Sequence, residues 1–525
     1  MNLPPFRNLE LTDFSQPENR AAMEAAIARV RAAMGREYDI IVGGEGLKTR
    51  NKFDSVNPSH PEEVVGVFQE GPPDLVDPIM SAAEEAFRSW SRTRAEERVK
   101  LVLAVADRMR EQRLELAAWM VLEVGKSWVE ADADVAEAVD FCEFYGREML
   151  RLSGPQPLVA IETEENELRY LPLGVGIIIA PWNFPLAILT GMSMAAVVAG
   201  NTIVMKPSHP ASAVGAQLSR ICNEVGIPAG VVNFVTGGRE IGEPLVGHPR
   251  TRFLAFTGSK EVGLRLNELA ARPQPGQLWI KRVVAEMGGK DAIVVDSDAD
   301  LDDAVSGVVA SAFGYQGQKC SACSRAIVVD AIYDEFVRKL KAKAESSITT
   351  GNVERPEVNF GPMVDEGALR KVLHYVKIGR EEGRLLVGGE KGSEEGFFVQ
   401  PTIFVDVKPD AAIAQEEIFG PVLAVIRARD FEHALEIANN TEYGLTGAVY
   451  SHDPAKLEKA RQEFHVGNLY FNRKCTGALV GVHPFGGFNM SGTDSKAGGR
   501  DYLLLFTQAK AIAQKLETAS ARSPR

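Results

Sequence analysis

The sequence predicts an α/β fold built on two parallel sheets, and three observations predict it. From Leu173 onward, short apolar runs alternate with segments of helix length. The alternation starts afresh at Asp291-Ala292-Ile293-Val294-Val295. The chain has 525 residues, enough for at least two cores. Taken in order, residues 18–36 read as an amphipathic helix, residues 39–45 as a strand running into a turn, and Asn57-Pro58 as a further turn. Residues 76–90 and 94–122 read as long helices, the second rich in Ala, Leu, Glu and Arg; residues 132–150 form another, with Val135, Val139, Cys142 and Phe144 near one face. Residues 152–172 are polar, acidic and partly alternating, which reads as an extended arm that is stable only when paired, for instance with another subunit. Strands are expected at 175–180, 202–205, 231–235, 252–256 and 283–286, with helices at 186–199 and 211–225. The second α/β pattern runs to about Gly487; residues 501–517 read as strand plus helix, and 518–525 as disordered.

Composition narrows the function. Hydrophobic residues make up 45% and charged residues 25%, and no apolar run reaches the roughly 20 residues needed to span a bilayer. Net charge is −13, which argues against nucleic acid and anionic membrane as partners and leaves a small molecule. An anionic substrate would need locally placed cations or amides. Five cysteines, an odd and small number, fit a reducing, cytoplasmic setting, and Met1-Asn2-Leu3-Pro4-Pro5 lacks the pattern of a secretory signal.

The chemistry points to Gly317-Gln318-Lys319-Cys320-Ser321-Ala322-Cys323, where Cys320 sits among small residues between a helix-like segment and a strand-like one. Such a junction suits a nucleophile, although a buried, inert thiol is the alternative. Cys320-x-x-Cys323 as a zinc site lacks a second ligand pair, and as a redox motif it lacks the fold context. Cys323 is expected to line the strand, and its oxidative pairing with Cys320 would inactivate an enzyme. No Gly-x-Gly-x-x-Gly follows the first strand; Phe256-Thr257-Gly258-Ser259 could still hold a phosphate at a helix N-terminus, and Lys206 ends another strand.

Seven blocks together carry a resemblance. They are Pro181-Trp182-Asn183-Phe184-Pro185, Lys206-Pro207-Ser208, Phe256-Thr257-Gly258-Ser259, Glu286-Met287-Gly288-Gly289-Lys290, Gly317-Gln318-Lys319-Cys320, Glu416-Glu417-Ile418-Phe419-Gly420-Pro421 and Pro484-Phe485-Gly486-Gly487. In this order they resemble the aldehyde dehydrogenase superfamily over nearly the whole chain. Residues 131–138, 464–473 and 476–481 resemble its stand-alone bacterial branch, which oxidises glutamate 5-semialdehyde, the open form of 1-pyrroline-5-carboxylate, in proline breakdown.

The resemblance implies a Rossmann-type NAD domain (residues 1–151 and 173–287), an α/β catalytic domain (288–487), and an oligomerisation arm with C-terminal tail (152–172 and 488–525). It implies Cys320 as nucleophile, Asn183 as oxyanion donor and Glu286 as general base. NAD would be held by Trp182, Lys206, Ser208, Gly258, Ser259, Glu417 and Phe419. Substrate would be held by Glu137, Phe184, Lys319, Ser321, Gly477, Ala478 and Phe485. A homo-oligomer, a dimer or a hexamer of dimers, is implied as well. One position departs from the pattern: His209 stands where many relatives carry a glutamate that binds the adenosine ribose, which predicts better tolerance of NADP. A dehydrogenase for succinic semialdehyde, a cofactor-independent thiol esterase and a non-catalytic binding protein are the other readings, the last weakened by an intact Cys320, Glu286 and Asn183.

Overall fold

Short apolar runs with helices between them satisfy their backbone groups by pairing side by side. In the computed structural model, which describes residues 1, 3–393 and 395–516, they do so in two seven-stranded sheets. The first runs, edge to edge, Arg282–Glu286, Thr251–Thr257, Val175–Ala180, Thr202–Pro207, Val232–Phe234, Ile40–Val42 and Glu45–Leu47. Its first five strands are parallel, and Ile40–Val42 joins antiparallel. Chain order reverses between Val175–Ala180 and Thr251–Thr257, and the crevice at such a switch point is where an α/β sheet binds its ligand.

The second sheet runs Arg384–Val387, Thr402–Val405, Val422–Ala428, Cys323–Val329, Asp291–Val295, Thr446–Tyr450 and Asn468–Phe471. All neighbours are parallel except the first pair. Only Met287-Gly288-Gly289-Lys290 separates strand Arg282–Glu286 of the first sheet from strand Asp291–Val295 of the second. The carboxyl end of one sheet therefore faces the amino end of the other, with a cleft between them.

Helix Trp128–Ser153 packs between Ala95–Glu111 and Ala187–Val198 through apolar side chains, with an Arg110–Glu143 ion pair on one side and a hydrogen bond from the Ala187 amide to Asp134 on the other. Gly191 makes the close crossing possible, since a Cβ there would lie 3.0 Å from the Phe141 ring.

Several sequence expectations are corrected. The single helix expected at 94–122 is two, Ala95–Glu111 and Arg113–Val124, because Gln112 leaves helical geometry (φ −103°, ψ 17°) and lets the nearly all-buried second helix turn inward. Asn57-Pro58 does not stand alone: it turns the hairpin Lys52–Asn57/His60–Gln69, which Arg36–Tyr38 extends to three strands. The tail order is reversed, with a short helix Tyr502–Phe506 followed by strand Thr507–Lys515. That strand pairs antiparallel over nine residues with Glu164–Pro172, so the polar arm finds its partner within the chain. The expectation for residues 518–525 lies outside the described residues. Among the described residues no helix is long and apolar enough to cross a membrane.

Candidate active site

The loop that presents Cys320 is held in a costly shape. Helix Leu301–Phe313 is capped by Asp300, whose carboxylate accepts from the amides of Asp302 and Asp303. After it, Tyr315, Gln316 and Gly317 all take positive φ (49°, 55° and 67°). Two non-glycine residues in that region persist only when neighbours over-determine them. The Tyr315 hydroxyl donates to the Val124 carbonyl (2.7 Å), the Gln316 amide to the Pro362 carbonyl (2.8 Å), and Gln318 Oε1 accepts from the Val364 amide (3.0 Å). At 317 only glycine fits, because a Cβ would lie 2.6 Å from the Gly420 carbonyl oxygen. Cys320 emerges partly exposed, whereas Cys323 is buried at the start of its strand, its thiol donating to the Arg325 carbonyl. Cys475 lies against Cys323, so the neighbour of Cys323 is Cys475.

Two cavities meet at Cys320. The larger, about 560 Å³, occupies the switch-point crevice. It is lined by Trp182, Lys206, Ser208, Gly258, Ser259, Glu417 and Phe419, and also by Asn183 and Cys320. Ser259 caps helix Lys260–Ala271, its hydroxyl accepting from the Val262 amide, so the crevice receives a helix N-terminus. The Ser208 hydroxyl is buried and has no partner among the described residues. Trp182 and Phe419 meet edge to face at 5.5 Å, with Phe419 itself at φ 59°. Burial lowers the Lys206 ammonium to about 8. Burial also raises the Glu417 carboxyl, against the Gly289 amide that donates to it at 3.0 Å.

The smaller cavity, about 130 Å³, lies on the other side of Cys320. Glu137, Phe184, Ser321, Gly477, Ala478 and Phe485 line it together with Glu286. Lys319 does not: its ammonium is held by Glu130 at 2.6 Å. Sequence reasoning missed what lies behind Phe184. Lys126 sits 3.9 Å from that ring's centroid and pairs with Asp134 at 2.7 Å, both wholly buried. Asp134 also accepts the Ala187 amide at 2.7 Å, tying this ion pair to the start of helix Ala187–Val198.

Asn183 donates one amide hydrogen to the Gln318 carbonyl (3.1 Å), which leaves the other free to point elsewhere. The Glu286 carboxylate is held by three donors: the Ser495 hydroxyl (2.7 Å) and amide (3.2 Å), and the Gly487 amide (3.1 Å). Burial outweighs these and raises its carboxyl to about 7. Burial raises the Cys320 thiol further, helped by the charges of Asp291, Glu417 and Glu286. Ser495 carried no signal in the sequence; only the fold brings it to Glu286.

The arrangement suits a thiol nucleophile with an amide donor and a titrating carboxyl, placed between a nucleotide-sized crevice and a small, partly apolar cavity. The sequence profile of the aldehyde dehydrogenase family matches residues 47–512. A 1-pyrroline-5-carboxylate dehydrogenase of Geobacillus thermodenitrificans is 53% identical over 97% of this chain and 99% of its own. The structure of a Thermus 1-pyrroline-5-carboxylate dehydrogenase with bound NAD superposes with a TM-score of 0.96 at 51% identity, covering 98% of this chain and 100% of the other. Proline utilization A of Bdellovibrio bacteriovorus matches with a TM-score of 0.97 at 45% identity, over 100% of this chain and 55% of its own.

Proposed function

Because the chain belongs to the aldehyde dehydrogenase family, we propose that it oxidises L-glutamate 5-semialdehyde, the open form of 1-pyrroline-5-carboxylate, to L-glutamate with NAD, in proline breakdown. The observation that carries this reading is the position of Cys320, on the boundary of both cavities. The names of the relatives and the NAD bound by the Thermus enzyme support the choice of substrate and cofactor.

In this reading the aldehyde carbon enters the small cavity and the Cys320 thiolate forms a C–S bond to it. The alkoxide that develops accepts hydrogen bonds from the free Asn183 N–H and the Cys320 amide; one such donor is worth about 3–4 kcal/mol in the transition state. NAD, when bound, supplies the two-electron acceptor for the hydride. Trp182, Lys206, Ser208, Gly258, Ser259, Glu417 and Phe419 would hold it. They fit the group: the unpartnered, buried Ser208 hydroxyl and the helix N-terminus at Ser259 both face the crevice with donors to spare. Glu286, with its carboxyl near 7, takes the proton of the water that cleaves the Cys320 thioester.

Substrate selection follows from the small cavity. The Ser321 hydroxyl and the Gly477 and Ala478 amides suit the α-carboxylate, and Phe184 and Phe485 the carbon chain. Glu137 is raised to about 8 by burial and then by the charge of Asp134, so it is largely protonated in the free protein, and an ammonium bound beside it would favour its carboxylate. Lys319, paired with Glu130, contributes through its field.

The two sheets, with strands on either side of residue 288, support the division into a dinucleotide unit (1–151 and 173–287) and a catalytic unit (288–487). Exposed Leu158, Val159 and Ile161 beside the Glu164–Pro172 ribbon support a homo-oligomer assembled through the arm. Five free thiols support a cytoplasmic location.

The test is NADH formation from 1-pyrroline-5-carboxylate beside succinic and short aliphatic semialdehydes, with Cys320→Ala as control. Strong preference for the first, abolished by the substitution, is expected. Equal rates on all of them would overturn the substrate; ester hydrolysis without NADH would overturn the reaction.

A further inference from the structure

His209 stands at the carboxyl end of strand Thr202–Pro207, yet the fold brings a carboxylate to it from elsewhere in the chain. Glu70 follows strand His60–Gln69, and its Oε2 lies 3.1 Å from His209 Nε2. Its Oε1 accepts from the Gly238 amide at 2.7 Å, at the start of helix Arg239–Gly247. The backbone around it is clamped: the Gly71 amide donates to the Thr236 carbonyl (3.0 Å), and the Thr236 hydroxyl donates to the Gln69 carbonyl (2.6 Å). Lys206, which lines the larger cavity, donates to the Gly237 carbonyl at 2.7 Å and feels the charge of Glu70. At Gly238 a Cβ would come within 3.5 Å of both Glu70 and the His209 ring, so bare backbone flanks the carboxylate.

This is the carboxyl edge of the first sheet, on the strand next to its switch point. A carboxylate offers about four acceptor sites, and Gly238 and His209 leave the rest available to a diol. A ribose supplies two O–H donors; a 2′-phosphate supplies none and brings about −1.5 to −2 charges against the carboxylate. We propose that Glu70, oriented by Gly238 and His209, accepts from the adenosine ribose hydroxyls and makes this site select NAD over NADP. The inference rests on the dinucleotide reading above, and it replaces the NADP tolerance expected from His209 alone.

The test titrates ADP-ribose and 2′-phospho-ADP-ribose into the wild-type protein and Glu70→Gln by calorimetry, with kcat and KM for NAD and NADP measured on 1-pyrroline-5-carboxylate. Wild type should prefer the unphosphorylated nucleotide. Glu70→Gln should lose about ten- to a hundredfold of that preference, the range for one hydrogen bond to a charged acceptor, through KM and with kcat on NAD held. His209→Ala should lose less. A wild type that favours the 2′-phosphate, or a Glu70→Gln protein whose preference is unchanged, overturns the assignment. Should no aldehyde yield NADH, the substrate reading fails while the binding ratio still decides the role of Glu70. If neither nucleotide binds, the dinucleotide reading falls and Glu70 with it.

Discussion

Replacing Ser495 by alanine isolates the group that sets the titration of Glu286. The Ser495 hydroxyl donates to Oε1 at 2.7 Å and is foremost among the contacts that oppose burial; the Ser495 and Gly487 amides at 3.2 and 3.1 Å survive the substitution. A hydrogen bond to a charged acceptor is worth about 1.5–3 kcal/mol and one to a neutral group about 1. The hydroxyl therefore favours the ionised carboxylate by about 1–2 kcal/mol, roughly one pH unit. With the wild-type carboxyl at about 7, the ionised fraction at pH 7 falls from about a half to about a tenth, and thioester hydrolysis slows about fivefold. Above about pH 9 the two proteins converge.

The assay is stopped-flow NADH formation. The burst reports formation of the thioester and should keep its amplitude, while the linear phase, followed across pH, should have its acidic limb displaced upward. An acidic limb that stays in place, or moves down, refutes the role given to Ser495. Folding follows the same sign. Glu286 is raised above its ordinary 4.5, so the stability its proton confers is full below that value and is lost as pH rises through about 7.

Three further outcomes are expected. Glu286→Gln should give a burst approaching one NADH per site and then stall, as quenched-flow with mass detection of an acylated Cys320 would reveal; steady turnover near wild type would remove Glu286 as the base. Asp134→Ala leaves the Lys126 ammonium buried and unpaired, which costs about 3–5 kcal/mol and should lower the urea midpoint at constant slope; a loss under about 1 kcal/mol would mean the pair is relieved by other means. Glu137→Gln should lower kcat/KM for the amino-bearing semialdehyde about tenfold or more while sparing succinic semialdehyde; equal losses on both would deny it the ammonium.

What the sequence disclosed depended on how local each signal was. The parallel strands were legible because a fully buried strand reads as an unbroken apolar run, as in Val175–Ala180 and Asp291–Val295. The cleft side chains were legible because they sit at strand ends followed by glycine or proline, as in Lys206-Pro207 and Thr257-Gly258. The hairpin at Asn57-Pro58 was missed because its strands are only partly buried and mix polar with apolar residues. The break at Gln112 was missed because no proline or glycine marks it; tertiary packing alone bends the chain there. Ser495, Lys126 and Glu70 were invisible for a further reason. Each acts through a partner 209, 8 or 139 residues away, and nothing in its own neighbourhood distinguishes it from a solvated polar residue.

The global charge of −13 now reads differently from its sequence-level meaning. Around the thiol the field is that of the whole chain: burial and then Asp291, Glu417 and Glu286 favour the protonated thiol, against the Ser321 amide. Around Phe184 cations join the carboxylates: Lys126 and Lys319 lie within reach of its ring, paired with Asp134 and Glu130, and burial and then the charge of Lys319 depress the Lys474 ammonium. An anion in the small cavity therefore meets cations near Phe184 and carboxylates around the sulfur. Cations near a bound carboxylate offset part of the repulsion it would add to the charges that favour the protonated Cys320 thiol. A carboxylate bound next to the thiol would raise it further and slow its own oxidation. In the proposed reading the Ser321 hydroxyl and the Gly477 and Ala478 amides, which line the same cavity, are the donors that would offset this repulsion while the aldehyde reaches Cys320.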